Sequence, residues 1–271
     1  MLGQAFGITF MSTGGLSFTP EYQAVYDEFT TKPSNEVAIA QDTMVKALAD
    51  GGVWSKLDRF FVFAGHTNDN GESLIDWKAP STRSATIVNS PVFTAFEGFA
   101  GDGASNYIDS NYNPSTDATN YTLNDASVGL YSRTDVDELS YDCGARVSWL
   151  LYCSSSTDQI RYRLNCNTNS DSTADYGDSR GLYIVNRTNS STQSVYRNGT
   201  LVKEDASKST ADVPTNDIWV MTYNNNGSPG TFSSKQFSML FAGSSLTQSD
   251  VTILTNAFEA YMDSNSKGII T

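Results

Sequence analysis

The residues of this chain that could contact a ligand are concentrated between about residues 100 and 135. Sugar binding needs an exposed aromatic ring beside amide, carboxylate or guanidinium groups, because the ring covers the apolar side of the sugar and the polar groups bind its hydroxyls. All of these residue types occur here at short spacing. We therefore predict a ligand-binding site formed by Asp102, Asn106, Tyr107, Tyr112 and Arg133. The alternative is that the tyrosines only pack between strands.

The chain has one histidine and no arrangement typical of nucleophilic catalysis. His66 directly follows a predicted strand, in a turn where a histidine is ordinarily solvated. The chain also lacks the G-x-S-x-G turn that presents a catalytic serine in some hydrolases. We therefore predict no catalytic residue.

Acidic residues provide the only candidates for a metal site. Asp135, Asp137, Glu138 and Asp142 could supply oxygen ligands to calcium, and so could Asp102 with the carbonyl groups of its glycine-rich loop. Neither spacing matches an EF-hand, and acidic turns are usually only solvated in a chain with a net charge of −13. We predict no cofactor and no metal ligand, with calcium as the alternative.

The composition favours short strands joined by polar turns. Of the 271 residues, 39% are hydrophobic and 17% are charged, and Ser, Thr, Asn and Gly make up much of the difference. The length fits one large β domain, or one domain with a small appendage. The net charge of −13 argues against binding to a nucleic-acid backbone, which needs clustered Lys and Arg.

Cysteine usage and apolar runs limit the remaining classes. Cys143, Cys153 and Cys166 are odd in number and lack C-x-x-C spacing, so we predict neither a zinc site nor a complete disulfide framework. We expect buried thiols in neighbouring strands, with one bridged pair as the alternative. Residues 1–11 lack the basic region of a secretory signal, and no segment reaches the ~20 apolar residues of a membrane helix.

A β-hairpin is the clearest local structure in the sequence. Asn198-Gly199 lies between two β-prone runs and predicts a two-residue type I′ turn. Such hairpins belong to antiparallel sheets, which bury one face against a second layer. About a dozen strands are predicted; besides the two of the hairpin they cover 59–64, 85–88, 92–96, 107–109, 127–133, 139–143, 147–153, 160–164, 182–186, 218–223 and 237–243. Residues 165–179 are predicted to form a long loop.

Helices are predicted only near the two termini. Residues 1–20 are interpreted as an arm that needs a partner surface, and 21–30 as a short helix. A second helix should begin at Ser34 or Asn35 and end at Gly51-Gly52. It either packs on its own sandwich or docks onto a neighbouring subunit. Thr247 to Asp250 resembles a capping box and should start an amphipathic helix that covers a sheet edge.

Three stretches carry a family resemblance. Tyr196-Arg197-Asn198-Gly199 looks like the hairpin of concanavalin A-like jelly-roll domains, the laminin-G and lectin-glucanase superfamily. Residues 98–108 are similar to an early strand pair of these domains, and 237–247 to their last strand and closing helix. The run from Ala126 to Thr134 onward resembles tail and head-fibre structural proteins of tailed bacteriophages. Together the resemblance covers roughly residues 60–264.

The resemblance implies a fold more specifically than a function, because the superfamily includes lectins, glycosidases, lyases and structural modules. Its glycosidases carry paired carboxylates on one strand in an E-x-D-x-E pattern, so that both side chains face one cleft. This sequence has no such strand, and its nearest run, Asp135 to Glu138, reads as a turn. A lyase site of Tyr, Arg and His or Gln stays open, because those residues need not be close in sequence.

Taken together, the sequence predicts an all-β antiparallel jelly-roll sandwich over residues 60–271 with a C-terminal capping helix. Residues 1–59 are predicted to form an arm and helical attachment region. The expected function is that of a non-enzymatic virion structural protein, a capsid decoration, head fibre or tail component, with glycan recognition at the host surface. A polysaccharide-cleaving enzyme of the same fold is the alternative. Expected partners are other virion proteins, further copies of the chain and a host glycan; the expected location is the virion surface, after synthesis in the host cytoplasm.

Overall fold

The strands are short because Asn, Gly and Ser turns interrupt them, and they assemble into two stacked sheets. In the computed structural model, residues 16–146, 149–153, 159–166, 172–175 and 177–270 are described, with the backbone alone for 149–153. The helices are α1 (Pro20–Glu28), α2 (Asn35–Asp50), α3 (Pro114–Asp117) and α4 (Gln248–Ser264). The strands are β1 (Leu57–Val62), β2 (Thr86–Val88), β3 (Val92–Thr94), β4 (Gly98–Ala100), β5 (Tyr107–Asp109), β6 (Ala126–Ser132), β7 (Cys143–Ala145), β8 (Trp149–Cys153), β9 (Gln159–Leu164), β10 (Ser172–Asp175), β11 (Gly181–Arg187), β12 (Gln193–Arg197), β13 (Thr200–Asp205), β14 (Trp219–Val220), β15 (Tyr223–Asn225), β16 (Ser228–Pro229) and β17 (Gln236–Gly243).

The two sheets have interleaved strand orders, which confirms the predicted all-β class. The first sheet runs β13-β12-β11-β6-β17-β4-β3, and β1 also pairs with β17. The second sheet runs β10-β9-β8-β7-β14-β5-β2, and β15 pairs with β7 and β16. Some neighbours are consecutive in sequence, as in β11, β12 and β13, whereas others come from distant parts of it, as in β6 beside β17. Neighbours of the second kind need long connections between them.

The central strands of the first sheet are buried on both faces, and their side chains alternate between two separate hydrophobic clusters. Val128 and Leu130 of β6 and Leu240 of β17 point between the sheets. Tyr131 and Phe241, from the same two strands, point to the opposite side. The period of two along a strand produces this division. A strand that is apolar on both faces reads as a continuous apolar run, as the sequence does at residues 60–64.

Three helices cover the outer face of the first sheet, which we call the helix-covered face. Residues of α1, α2 and α4 share one buried cluster with that face. A chain of hydrogen bonds crosses it. The Tyr22 hydroxyl of α1 donates to Gln41 Oε1 of α2 at 2.6 Å, Gln41 Nε2 donates to the Tyr261 hydroxyl of α4 at 3.4 Å, and Tyr261 donates to the Ala64 carbonyl at 2.7 Å. The helices are thereby fixed to one another and to the chain after β1.

The capping residues predicted for the two long helices are confirmed. The Ser34 hydroxyl accepts the Val37 N–H at the start of α2, and Gly51 caps its end. Thr247 and Asp250 form a capping box at the start of α4. Its buried face includes Val251 and Phe258, as the periodicity predicts.

The region of residues 1–59 contributes both helices to this cluster. Two roles were predicted for α2. The structure displays the first of them, since α2 packs on the chain's own sandwich. Residues 1–15 of the predicted arm lie outside the described residues. The docking of this region onto a neighbouring subunit stays a prediction.

The hairpin forms as predicted. Asn198 and Gly199 have φ values of 50° and 83°, and Arg197 pairs with Thr200 across the turn. The Asn198 side chain also accepts the Leu182 N–H at 2.9 Å, which ties the turn to β11. The turn residues therefore fix the register of three neighbouring strands.

Two predicted segments are wrong in part. A strand was expected over 139–143, but β7 begins at Cys143, because Glu138 and Ser140 bind each other through their side chains and Leu139 is 73% exposed. A loop was expected over 165–179, but β10 pairs there with β9. β10 is rich in Ser and Thr, which composition alone assigned to a loop.

The described cysteines lie in the interior. Cys143 and Cys166 are fully buried, as small hydrophobic residues would be. The side chain of Cys153 lies outside the described part of the structure. Among the described residues, no helix has both the length and the apolar character needed to cross a membrane.

Candidate functional site

The predicted site residues divide between the two ends of the sandwich. β4 and β6 end where β17 begins, and we call this the first end. β1 and β6 begin where β17 ends, at the second end. Asp102, Asn106 and Tyr107 lie at the first end together with Arg133, whereas Tyr112 lies at the second end. The structure therefore brings four of the five together in one region of the molecule.

The loop from Gly101 to Asn106 is closed by its own side chains. Asp102 Oδ1 accepts the N–H groups of Ala104 and Ser105, both at 2.8 Å, and of Asn106 at 3.1 Å. Asn106 Oδ1 accepts the Asp102 N–H in return at 2.9 Å. The backbone hydrogen bonds hold the pKa of Asp102 well below its usual range. Asp102 is exposed and Asn106 is buried, so Asp102 offers a charged carboxylate while Asn106 supports the loop.

Tyr107 begins β5 and provides an aromatic ring on the outer face of the second sheet. Ile108 points into the core between the sheets, so Tyr107 and Asp109 point outward. The Tyr107 ring is half-buried and stacks on the Trp219 ring of β14, with centroids 4.3 Å apart and planes at 28°. Phe232 lies 6.5 Å away on the same side. Trp219 thus fixes the ring of Tyr107 from behind.

Two carboxylates flank this stack. Asp109 is directly opposite Trp219 across the β5–β14 pair, and Asp217 precedes Trp219 by two residues. Burial raises the pKa of Asp109, against the effect of the hydrogen bond from the Asn111 N–H and of the nearby Trp219 indole. Burial and the negative charge of Asp109 raise the pKa of Asp217. We call Tyr107, Trp219, Asp109 and Asp217 the Tyr107 patch.

Two of the residues considered as calcium ligands, Glu138 and Asp142, are used in hydrogen bonds and an ion pair near the first end. Glu138 accepts from the hydroxyls of Ser140 at 2.7 Å and Ser233 at 2.6 Å. Burial opposes ionisation of Glu138, but these hydrogen bonds outweigh it and lower the pKa. Asp142 forms a buried ion pair with Lys235 at 3.2 Å. Among the described residues, no group of three His, Cys, Asp or Glu is placed to hold a metal ion.

A small cavity of about 230 Å³ opens beside this cluster. It is lined by Leu139, Ser140, Tyr141, Arg161 and Thr231. An aromatic ring and a guanidinium group next to an opening can contact a sugar or another polar ligand. The cavity is a second place for ligand contact, separate in sequence from the Tyr107 patch.

Tyr112 is placed where it cannot present its ring to a ligand. It is 1% exposed, and its hydroxyl donates to Asp58 Oδ2 at 3.0 Å. The Arg59 guanidinium lies over its ring, 4.6 Å from the centroid. Asp58 also accepts the N–H groups of Asn120 and Tyr121. For Tyr112, the alternative prediction that the tyrosines only pack between strands fits its buried position.

Arg133 lies at the first end but binds the C-terminal segment. Its Nη1 donates to the Lys267 carbonyl at 2.6 Å, and its backbone N–H donates to the Gln236 carbonyl at 2.9 Å. Lys267 in turn pairs with Glu97. Arg133 therefore holds the chain after α4 against the first sheet, and its guanidinium is used in that contact.

His66 has a structural partner. Its Nε2 donates to the Thr31 carbonyl at 2.6 Å, and its ring lies against that of Phe29 at 5.2 Å. Glu72 accepts the Thr31 N–H at 3.0 Å. The only histidine thus holds the segment after α1 to the chain after β1.

Sequence reasoning missed Asp109, Asp217 and Trp219. Trp219 is only 5% exposed, as a core residue would be, but it lies on the outer face under Tyr107. The available signal was the alternation Tyr-Ile-Asp at 107–109, which puts Tyr107 and Asp109 on one polar face. The pairing of β5 with β14 could not be read from the sequence.

No family model matches the chain, and no curated protein matches it. Solved structures do share the fold. The binding domain of botulinum neurotoxin DC in complex with rat synaptotagmin II is 15% identical, with a TM-score of 0.51 over 75% of this chain and 52% of that one. A structure of botulinum neurotoxin type C, described for cell entry through two ganglioside molecules, is 13% identical, with a TM-score of 0.52 over 77% and 52%.

A third similar structure is the sialidase of Trypanosoma rangeli in complex with 2,3-difluorosialic acid. It is 14% identical, with a TM-score of 0.53, and the match covers 83% of this chain and 39% of that one. The chain thus spans about half the length of the neurotoxin domains and less of the sialidase. At these identities the likeness defines a class by fold alone, a sheet-rich sandwich of the kind found in these domains.

Proposed function

We propose that the chain is a non-enzymatic carbohydrate-recognition module and that the Tyr107 patch holds the sugar. The observation that carries the proposal is the Tyr107 ring, stacked at 4.3 Å on Trp219 and next to the Asp109 carboxylate. A ring that is fixed before the ligand arrives loses little freedom on binding. Asn106, buried beside it, connects the ring to the Asp102 loop, whose exposed carboxylate can accept sugar hydroxyls.

The fold of the similar structures supports this proposal. Ganglioside molecules are named for the neurotoxin type C structure, and a sialic acid derivative for the sialidase. Sheet sandwiches of this kind therefore occur in proteins that contact sugars. The neurotoxin structures are binding domains, which agrees with a role in recognition.

The finer setting rests on the sequence resemblance to tail and head-fibre proteins of tailed bacteriophages. In this proposal the concanavalin A-like sandwich is exposed on a virion, as a capsid decoration, head fibre or tail component, and contacts glycans of the host surface. Mass spectrometry of purified virus particles that encode the chain should detect it in stoichiometric amount. Its absence from intact particles would contradict the virion role.

The attachment proposed for residues 1–59 has a candidate surface. A mostly apolar groove of about 500 Å³ lies between α2 and α4, lined in part by Ala40, Ala47, Ala257 and Ala260. The fifteen residues that precede the described part of the chain include Leu2, Phe6, Ile8 and Phe10. The chain enters α1 beside α2, because Thr19 binds Asp42 there.

We propose that the groove receives this apolar segment from a second copy of the chain, which gives a homo-oligomer. Light scattering of the full chain and of residues 16–271 tests this. An oligomer that becomes a folded monomer on truncation is expected. Equal masses for both would contradict the exchange of the segment. Removal of all of residues 1–59 is unsuitable, because α1 and α2 belong to the core.

A glycan array tests the recognition proposal. Wild-type protein should bind a defined set of glycans, and Tyr107→Ala should weaken that binding by about fivefold, since one aromatic contact is worth ~1 kcal/mol. Tyr26→Ala is the matched control, because Tyr26 is a half-buried tyrosine on α1, away from the patch. Equal losses in both variants, or no bound glycan at all, would contradict the site.

The alternative of a polysaccharide-cleaving enzyme is favoured by one observation. Asp109 and Asp217 lie on the same outer face, and burial raises the pKa of both, as expected of a carboxyl group that donates a proton. Release of reducing ends from host polysaccharide would support the enzyme, provided that Asp109→Asn and Asp217→Asn both abolish it. No release by the wild-type protein would favour recognition alone.

A further inference from the structure

The Tyr107 patch is negatively charged, and the described part of the chain places no cation in an ion pair with its carboxylates. Asp109 and Asp217 flank Trp219, and Asp117 is close enough to Asp217 to disfavour its charged form. No ion pair among the described residues involves Asp109 or Asp217. Nearby, Arg83 forms an ion pair with Asp117, and its Nη2 lies 3.5 Å from Asp117 Oδ1. The patch therefore presents unneutralised carboxylates beside its aromatic ring.

The indole of Trp219 is a second and independent feature of this place. The side chain is 5% exposed, and its Nε1–H makes no hydrogen bond with good geometry among the described residues. The indole is nevertheless near enough to Asp109 to favour the charged form of that carboxylate. A buried donor without a good acceptor is uncommon in proteins, and a ligand oxygen at this position would supply the missing acceptor.

These features discriminate between sugars by charge. Carboxylates accept hydrogen bonds from the hydroxyls of an uncharged sugar, and the Tyr107 ring covers its apolar side. A sugar that carries its own carboxylate, sulfate or phosphate is repelled by Asp109 and Asp217 at short range. The net charge of −13 adds a repulsive field over the whole molecule.

We propose that the Tyr107 patch selects uncharged glycans and rejects sialylated and other anionic ones. This inference rests on the proposed carbohydrate recognition and specifies its ligand class. It separates the chain from the sialidase that shares its fold, which was solved with a sialic acid derivative. Two proteins that share a fold can thus differ in the class of ligand that they bind.

Paired probes test the selectivity on the full chain. Each pair consists of one neutral oligosaccharide and the same oligosaccharide with a terminal sialic acid, and affinities are measured at about 20 mM and 500 mM salt. At low salt, the neutral member should bind at least about tenfold more tightly. At high salt the difference should shrink, because salt screens the repulsion.

Two variants with the same change in charge sharpen the test. Asp217→Asn removes one charge from the patch and should reduce the preference for the neutral member by a factor of about three or more. Asp27→Asn removes a charge from the exposed side of α1 and should leave the preference unchanged. Thermal unfolding of both variants checks that they are folded.

The outcomes separate the two proposals. Equal or tighter binding of the sialylated member at low salt overturns the selectivity but leaves carbohydrate recognition in place. A preference that Asp217→Asn and Asp27→Asn change equally also overturns it, because the effect then comes from net charge and not from the patch. Binding of neither member in any pair contradicts carbohydrate recognition itself, and the selectivity with it.

Discussion

The two outer faces of this sandwich differ in what they bury. On the helix-covered face, Tyr131 and Phe241 of the first sheet pack under α2 and α4 in a continuous apolar cluster. The outer face of the second sheet carries polar side chains, such as Asp109 and Arg161, and the half-buried ring of Tyr107. None of the three helices of that cluster packs on it. Helices that stabilise one face thus leave the other face for contact with solvent or a ligand.

The comparison also separates two tyrosines that look alike in the sequence. Tyr107 and Tyr112 both directly follow an asparagine and are only five residues apart. Tyr107 remains half-buried on the outer face, while Tyr112 is 1% exposed and binds Asp58. The direction of β5 carries the chain from the first end to the second between them, so position in the sheet decides which tyrosine can meet a ligand.

The largest expected effect comes from truncating an aromatic residue under the helices. Phe258 of α4 is 1% exposed and its ring lies 5.0 Å from that of Tyr131. Phe258→Ala should lower the free energy of unfolding by about 3–5 kcal/mol. Phe232→Ala, on the half-buried ring near Tyr107, should cost less than about 1.5 kcal/mol. Urea unfolding of both variants checks this, and similar losses would remove the energetic distinction between the faces.

A smaller effect is expected where the helical region is tied to the sheet. Glu72 accepts the N–H groups of Thr31 at 3.0 Å and Asn70 at 2.9 Å. Burial opposes its ionisation, but these hydrogen bonds outweigh it and lower the pKa of Glu72 to about 2, from 4.5. Because the folded-state pKa is depressed, the stabilisation is present above pH ~4.5 and is lost as the pH falls towards 2.

The test of this tie is the pH dependence of unfolding. The wild-type protein should lose up to about 3 kcal/mol between pH ~5 and ~2 through this group. Glu72→Gln should lose about 1–3 kcal/mol at pH 7 and show a weaker dependence on pH in that range. Parallel curves for the two proteins would mean that Glu72 does not hold the helices.

Close packing on the helix-covered face predicts a loss of stability when a side chain is added at a glycine. A Cβ atom at Gly129 of β6 would lie 2.1 Å from the ring of Phe241. Gly129→Ala should therefore destabilise the fold by about 1–3 kcal/mol through overpacking. Gly177 is the matched control, because a Cβ there meets nothing within 4 Å. If thermal unfolding shows the same small change for both alanine variants, the ring of Phe241 adapts freely.

Local chemistry predicted much of the fold. The Asn198-Gly199 turn, the capping box at Thr247 and most strand positions follow from backbone preferences and side-chain periodicity, which act over a few residues. The strand expected at 139–143 fails where Glu138 accepts hydrogen bonds both from Ser140 and from Ser233, which is 95 residues away. A contact of that range has no local signature.

The candidate site was predicted only in part, for the same reason. The sequence places Tyr107 beside Asn106 and close to Asp102, so that part of the site is local. Trp219 and Asp217 join it through the pairing of β5 with β14, which links residues 110 positions apart, Asp109 and Trp219. Arg133 was expected in the site from its position at a strand end, but its hydrogen bond to Lys267 depends on where α4 returns the chain.

The smallest predicted effect has the opposite sign of pH dependence and lies on the outer face of the second sheet. Burial raises the pKa of Asp109, so its charged form costs stability in the folded state. Because the folded-state pKa lies above the unfolded one, the wild-type protein gains stability through this group as the pH falls through the folded-state pKa.

Asp109→Asn removes the charge, and its side-chain oxygen can still accept the Asn111 N–H, which Asp109 accepts at 2.8 Å. The variant should therefore be more stable than wild type at pH 7, by less than about 1 kcal/mol, and the difference should vanish near pH 3. Thermal unfolding at both pH values measures it. A loss of stability at pH 7 would mean that the Asp109 charge is compensated in the folded state, and the negative patch beside Tyr107 would then be neutralised from within.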